Sequence, residues 1–212
     1  GVAKDDRQTK RFVDYDLLQQ LNSQSTDARA FNVMMDSKMN LWATSTGLGI
    51  LYFNKKTDQW QQAKYMLNDS IIENNAPSFT IGFAEDSEEG YWIGSNSGLL
   101  YSTHIDSAFR IVPIENSDYT IFSDPTNTIS SLYSDSLNVL WITSRNGIYK
   151  YDPETTVLKT IQTYDYRQNE LWNNWNSIKS DKSGNIWIAN NFKGILKFEG
   201  ISDLFKEIMV SE

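Results

Sequence analysis

An Asp followed six residues later by a Trp recurs four times in this 212-residue chain. The copies read Asp36-Ser-Lys-Met-Asn-Leu-Trp42, Asp86-Ser-Glu-Glu-Gly-Tyr-Trp92, Asp135-Ser-Leu-Asn-Val-Leu-Trp141 and Asp181-Lys-Ser-Gly-Asn-Ile-Trp187. The tryptophans lie 50, 49 and 46 residues apart. A period of this size marks a repeat architecture, in which each unit buries its apolar surface only against its neighbours.

Aligning the copies defines the unit. An apolar residue stands three positions before each Asp: Val33, Phe83, Leu132 and Ile178. Each Trp opens a short run of small and apolar residues, and a Gly follows at Gly49, Gly98, Gly147 and Gly194. That Gly leads into an aromatic-ending run, and a further apolar run follows at 59–65, 108–114, 157–164 and 204–210. Aromatic and β-branched enrichment without a sustained 3.6-residue period argues for strands. Four short strands in roughly 40–50 residues is the size of a propeller blade. The expected fold is all-β: one β-propeller segment of about four four-stranded blades over 1–212. The repeats run at about 31–65, 79–114, 129–164 and 175–210. Residues 10–15 read as the last strand of a preceding blade, and 16–30 as the loop that follows it.

Trp42, Trp92, Trp141 and Trp187 are expected to fill the space between blades. Asp36, Asp86, Asp135 and Asp181 read as the openers of Asx-turns, their carboxylates accepting backbone N–H groups. Asn40, Gly90, Asn138 and Gly184 sit late in those turns, where positive φ is often required. A calcium loop at Asp181-Lys-Ser-Gly-Asn is the alternative, but Asp36 and Asp135 lack further carboxylates nearby, and calcium needs several oxygen ligands.

Composition narrows the function. The net charge is −8, and no Lys/Arg cluster stands out to neutralise phosphates, which argues against nucleic acid. The chain has no Cys, which excludes disulfides without settling the compartment. No run of 18 apolar residues implies a membrane span. A start at Gly1 rather than Met reads as a processed or expressed fragment with any targeting segment removed. No cofactor or metal motif is visible.

Asn-Leu-Trp42-Ala-Thr-Ser, Gly-Tyr-Trp92-Ile-Gly-Ser, Val-Leu-Trp141-Ile-Thr-Ser, Asn-Ile-Trp187-Ile-Ala-Asn and Gly147-Ile-Tyr-Lys-Tyr151-Asp152-Pro153 resemble the two-component regulator propeller repeat. The resemblance runs from about Lys10 to Val210. It implies the exported, periplasmic sensor region of a hybrid two-component regulator of the Bacteroides type. Such regions resemble oligosaccharide detectors joined through a β-sandwich and a membrane helix to a histidine kinase. This chain carries neither sandwich nor kinase, so the remaining blades and modules of a larger receptor would be its partners. Two departures stand out. Ser102 occupies a position where the other copies have an aromatic, and four blades fall short of the family's usual seven. An open arc would expose apolar blade faces, so contact between copies, as in a homodimer, is expected.

Ligands of propellers usually meet the loops at one end of the central channel. In this phase those are the connections from the fourth strand to the next first strand, at 66–78, 115–128 and 165–174, and those between second and third strands. Trp172, Asn174 and Trp175 bring aromatic faces and amides together, which suits a sugar's C–H face and hydroxyls. Trp175 also reads as core, because Ala30, Thr80 and Ile129 occupy its position elsewhere. Arg145 reads either as a bidentate clamp for an anionic sugar or as a solvated turn residue. Asn96 and Asn146 read as turn formers, and Phe192 and Lys193 complete the same loop set. The only histidine, His104, sits on the connection at the other end and has no evident orienting partner. Lyase or hydrolase chemistry is therefore disfavoured. A protein-interaction platform is the other alternative, its acidic surface favouring a basic partner.

Overall fold

The computed structural model describes residues 2–6, 11–23, 29–67, 70–72, 82–95, 98–114, 128–144, 147–161, 175–190, 194–199 and 204–208. An antiparallel hairpin comes first: β1 (Val2–Asp6) pairs with β2 (Arg11–Tyr15). One helical turn, α1 (Leu17–Gln20), follows within the stretch read from sequence as loop. It is capped by Asp16, whose carboxylate accepts the Gln19 N–H at 3.1 Å.

Four blades follow. Blade 1 holds β3 (Ala30–Met35), β4 (Leu41–Ser45), β5 (Gly49–Asn54) and β6 (Gln59–Gln62). Two short strands, β7 (Tyr65–Leu67) and β8 (Ser70–Ile72), lie between blades 1 and 2 in the chain. Blade 2 holds β9 (Gly82–Glu85), β10 (Tyr91–Ser95), β11 (Gly98–Ser102) and β12 (Phe109–Ile111). Blade 3 holds β13 (Ile129–Ser134), β14 (Leu140–Ser144), β15 (Gly147–Asp152) and β16 (Val157–Ile161). Blade 4 holds β17 (Trp175–Ser180), β18 (Ile186–Asn190), β19 (Gly194–Glu199) and β20 (Leu204–Ile208). Within each blade the strands pair antiparallel in chain order, giving a four-bladed β-propeller.

Blade 1 differs from the sequence reading at its outer edge. Its last strand ends at Gln62, and Tyr65 belongs to β7, which pairs parallel with β12 of blade 2. The connection read as a loop at 66–78 thus begins with a hairpin, β7–β8, that widens blade 2 to six strands. The cause is local. Tyr65 is buried, its hydroxyl accepts the Ile50 N–H at 2.8 Å, and Phe109 N–H donates to Lys64 O at 2.8 Å. Those contacts carry the chain from one blade to the next.

Four apolar clusters tie the array together in sequence. Tyr15, Leu17 and Trp60 join the hairpin and α1 to blade 1. Trp42, Ile50, Tyr91 and Phe109 join blades 1 and 2. Trp92, Ile129, Leu132 and Tyr151 join blades 2 and 3. Trp141, Ile148, Ile178 and Ile188 join blades 3 and 4. Each buried indole removes about 200 Å² from water, roughly 5 kcal/mol before entropy is counted. Trp42, Trp92 and Trp141 are buried, whereas Trp187 is only half-buried. Trp187 stands in the last blade of the described residues, so no described neighbouring blade packs on it.

The close approach of blades 2 and 3 explains one glycine. A Cβ on Gly94 would lie 2.2 Å from Ile129 Cγ2, closer than any real contact.

Candidate functional site

Strand register defines which strand ends share one end of the blades. In blade 3, Ile129 opposes Ser144, Ser144 opposes Gly147, and Ile148 opposes Ile161. The start of the first and third strands and the end of the second and fourth therefore share one end. Blade 4 repeats this with Trp175, Asn190 and Gly194, and blade 1 with Ala30, Ser45 and Gly49. A β-bulge breaks the first pair in all three, between Ala30 and Asn32, Ile129 and Ser131, and Trp175 and Ser177. Bulges re-aim side chains at such ends.

The second strands terminate there in buried polar residues: Ser45, Ser95, Ser144 and Asn190. The Ser95 hydroxyl donates to Gly98 O at 3.0 Å across the turn, and Ser45 to Thr46 O at 2.9 Å. These groups shape turns. Beside them the hydroxyls of Thr44 and Thr46 are buried with no hydrogen-bond partner among the described residues. An unpaired buried hydroxyl is costly, so this end of blade 1 carries unspent hydrogen-bonding capacity.

Of the residues selected from sequence, Trp172, Asn174, Arg145, Asn146, Asn96, Phe192 and Lys193 lie outside the described residues. Trp175 opens β17 with its backbone opposite Asn190. Ile129, at the same register position of blade 3, is fully buried between blades.

The opposite end holds the repeated Asp residues, whose four turns are all described. Asp36 Oδ1 accepts the Asn40 N–H at 2.7 Å, and Oδ2 accepts the Trp42 indole N–H at 3.0 Å. The pair is repeated by Asp86 with Gly90 and Trp92 (2.8 and 3.0 Å) and by Asp135 with Val139 and Trp141 (3.0 and 2.9 Å). Asp181 does the same with Asn185 and Trp187 (3.0 and 2.9 Å). One carboxylate thus closes the turn and locks the indole rotamer. The positive-φ residue is the third after each Asp: Met39, Glu89, Asn138 and Gly184. At Asn40 and Gly90 the sequence reading was therefore one position late. Asn40 instead adds a side-chain hydrogen bond to Asp36 Oδ2 at 2.8 Å. At Gly90 a Cβ would strike the Tyr101 hydroxyl at 2.2 Å.

These bonds tune charge. At Asp36 desolvation pushes the pKa up, but bonds from Trp42, Asn40 and Tyr91 outweigh it and hold the carboxyl below its usual range. At Asp181 the Asn185 amide and then the Trp187 indole bring it down to about 2. Burial, and then the hydrogen bond to Asp36, push the Tyr91 phenol well above its ordinary value.

Latches between blades sit at this same end. The Tyr91 hydroxyl of blade 2 donates to Asp36 Oδ2 of blade 1 at 3.0 Å. Glu85 receives the Ser37 N–H and hydroxyl at 2.6 and 2.7 Å, and Lys38 pairs with Glu89. Asn138 Oδ1 accepts the Ser87 N–H at 2.9 Å, and Tyr133 bonds Ser180 at 2.6 Å. The sequence reading named Asp36 and Asn138 only as turn residues and selected none of these contacts between blades.

A cavity of about 550 Å³ opens on the outer strands of blade 2, lined by Met66, Tyr101, Thr103, Arg110, Val112 and Pro113. His104 lies exposed in the β11–β12 turn, its Nδ1 accepting the Asp106 N–H at 3.2 Å. Among the described residues no group of three or more His, Asp or Glu could hold a metal ion. No described helix is long and apolar enough to cross a membrane.

Sheets of four antiparallel strands stacked through repeated indoles define the class as β-propeller. No protein-family model and no curated protein matches the chain. Solved structures do, and they include extracellular domains of Bacteroides regulators. The extracellular domain of the hybrid two-component system BT3049 of B. thetaiotaomicron superposes with TM-score 0.66 at 20% identity, covering 94% of this chain and 24% of that one. The extracellular domain of the one-component system BT4673 of the same organism gives 0.61 at 17%, covering 87% and 24%. Virginiamycin B lyase of Staphylococcus aureus gives 0.68 at 10%, covering 99% and 63%; that lyase is catalytically inactive when a histidine is changed to alanine. This chain spans about a quarter of each regulator domain's length.

Proposed function

We propose that this propeller is the non-catalytic, ligand-recognising part of a periplasmic signalling receptor, and that its ligand is an oligosaccharide. The observation that carries the reading is the shared register of strand ends. The strand ends Ser95, Gly98, Ser144, Gly147, Trp175, Asn190 and Gly194 lie at one end of consecutive blades, which supports assigning the ligand to the neighbouring sequence positions Asn96, Arg145, Asn146, Trp172, Asn174, Phe192 and Lys193. Those residues supply two aromatic faces, amides and two cations, the groups that sugars and uronates need. The likeness to extracellular domains of regulators supports a sensing role over an enzymatic one. The lyase comparison argues the same way. That enzyme needs a histidine, while this chain's only one, His104, sits in a turn at the opposite end. The remaining blades and modules of a larger receptor would carry the signal, through ligand affinity that differs between two receptor arrangements.

A melting-shift screen against oligosaccharide panels tests this. A bound sugar raises the melting temperature by mass action, and Trp172→Ala abolishes the shift while leaving the unliganded melting temperature unchanged. A shift that survives Trp172→Ala removes this site. A flat screen combined with capture of a basic protein favours the interaction-platform reading, which the net charge of −8 supports.

A further inference from the structure

The cavity on the outer strands of blade 2 sits where two departures from the repeat coincide. The first is an added wall. Among the described residues only blade 2 carries a strand beyond its fourth, and that strand, β7, sets Met66 directly beside Arg110. The second is a loss of side-chain bulk. Opposite each Trp, the third and fourth strands pair Tyr52 with Gln61, Tyr101 with Arg110, Lys150 with Lys159 and Lys197 with Lys206. Two residues nearer the turn, blade 1 sets Asn54 against Gln59, blade 3 Asp152 against Val157 and blade 4 Glu199 against Leu204. In blade 2 the ladder stops at Tyr101 and Arg110, and the corresponding residues are Thr103 and Ala108. The smallest of the four sets therefore lies beside the extra strand, and both line the space of about 550 Å³.

The lining defines what fits. Register puts Met66, Arg110 and Tyr101 side by side on one sheet face, and alternation adds Val112. Tyr101 and Val112 pack on the blade 2–3 cluster, so this face is the one turned to blade 3. The Tyr101 ring is fixed in place: Trp92 lies 4.3 Å from it, and its hydroxyl is bonded to Asp86. Arg110 is the one cation in the lining. It is exposed and forms no ion pair among the described residues, although the chain carries a net charge of −8. Its planar fork suits a carboxylate held by two parallel N–H bonds. Apolar walls with a single convergent polar group are the usual make-up of a small-molecule site, and the volume falls within the common range of about 300–1,000 Å³.

We infer that this cavity binds a small aromatic carboxylate, its ring against Tyr101 and Met66 and its carboxylate on the Arg110 guanidinium. A ring fits these walls better than an acyl chain, because an aromatic face and a thioether both gain from aromatic contact beyond the area they bury. The site is separate from the oligosaccharide reading, since it uses none of the positions assigned to that ligand.

Isothermal titration of the whole chain with cinnamate tests it, beside the neutral cinnamamide and the aliphatic octanoate. Saturable one-to-one binding of cinnamate is expected, with each comparison compound at least about tenfold weaker. Arg110→Gln should bring cinnamate down to the affinity of the amide while leaving the melting temperature unchanged, because that side chain is exposed. Ala108→Trp should fill the cavity and abolish binding of acid and amide alike. Should Ala108→Trp melt below the parent, Arg110→Gln decides alone. No saturable binding up to about 5 mM, equal affinity for acid and amide, octanoate binding as tightly as cinnamate, or cinnamate affinity indifferent to Arg110→Gln overturns the proposal.

Discussion

The two ends of each blade obey different rules. At the Asp end, four carboxylates repeat the same pair of hydrogen bonds to within 0.3 Å for the turn and 0.1 Å for the indole. At the loop end, Ser95-Asn96, Ser144-Arg145 and Asn190-Asn191 diverge as soon as the strand stops. Positions that recur are those that every blade needs in order to stack. Positions that differ are free of that demand and can be spent on recognition. Stability and ligand binding should therefore respond to opposite ends.

The largest expected effect lies in the indoles. Trp42→Ala should destabilise by about 3–5 kcal/mol, as for other buried aromatic truncations. Trp42 contacts Phe83, Tyr91 and Phe109 from the next blade. Trp187→Ala should cost less than half as much, because that indole is only half-buried. Urea denaturation of the two variants gives the ratio. Equal losses would mean that blade 4's face is covered in solution. Gly94→Ala comes next, at about 1–3 kcal/mol for overpacking, since its Cβ must displace Ile129 from the blade 2–3 contact.

Much of the fold was legible because period, turn chemistry and strand composition all point to the same unit. The Asp–Trp spacing marks both ends of a turn. It does not reveal that Oδ2 reaches the indole, because six residues of separation fix no side-chain direction. Met39 and Glu89 took the positive-φ position although neither favours it; the Asp36 and Asp86 bonds hold the turn regardless of that preference. The β7–β8 hairpin was illegible for another reason. It depends on a parallel pairing of Tyr65 and Met66 with Phe109 and Arg110, 44 residues away, and such pairings leave no local pattern. Trp187's exposure depends on what lies beside blade 4, and no motif inside that blade encodes it.

Acid should separate the ends further. Asp36 and Asp181 have depressed folded-state pKa values. Their stabilisation is therefore complete above the unfolded carboxyl value near ~4 and is lost as pH falls through the folded one. For Asp181 the folded value is about 2, so the loss runs from the unfolded value near ~4 down to about 2. Asn185→Ala removes the largest cause of its shift, so the folded value moves toward the unfolded one and the acid limb of the urea midpoint should become shallower. An unchanged limb would show that the amide does not set this titration.

The smallest effect on stability should come from the loop end, and it is the sharpest test of the contrast. Arg145→Gln and Trp172→Ala alter residues that do not belong to the repeated Asp–Trp pattern. Each should shift unfolding free energy by no more than about 0.5 kcal/mol, the usual range for surface positions. Under the proposed function both should lower affinity for an acidic oligosaccharide, with Arg145→Gln sparing neutral ones because only the charge partner is lost. Isothermal titration beside urea melts reads both quantities on the same proteins. A loss of stability comparable to that of Gly94→Ala would place these residues in the stacking core and dissolve the division between the two ends.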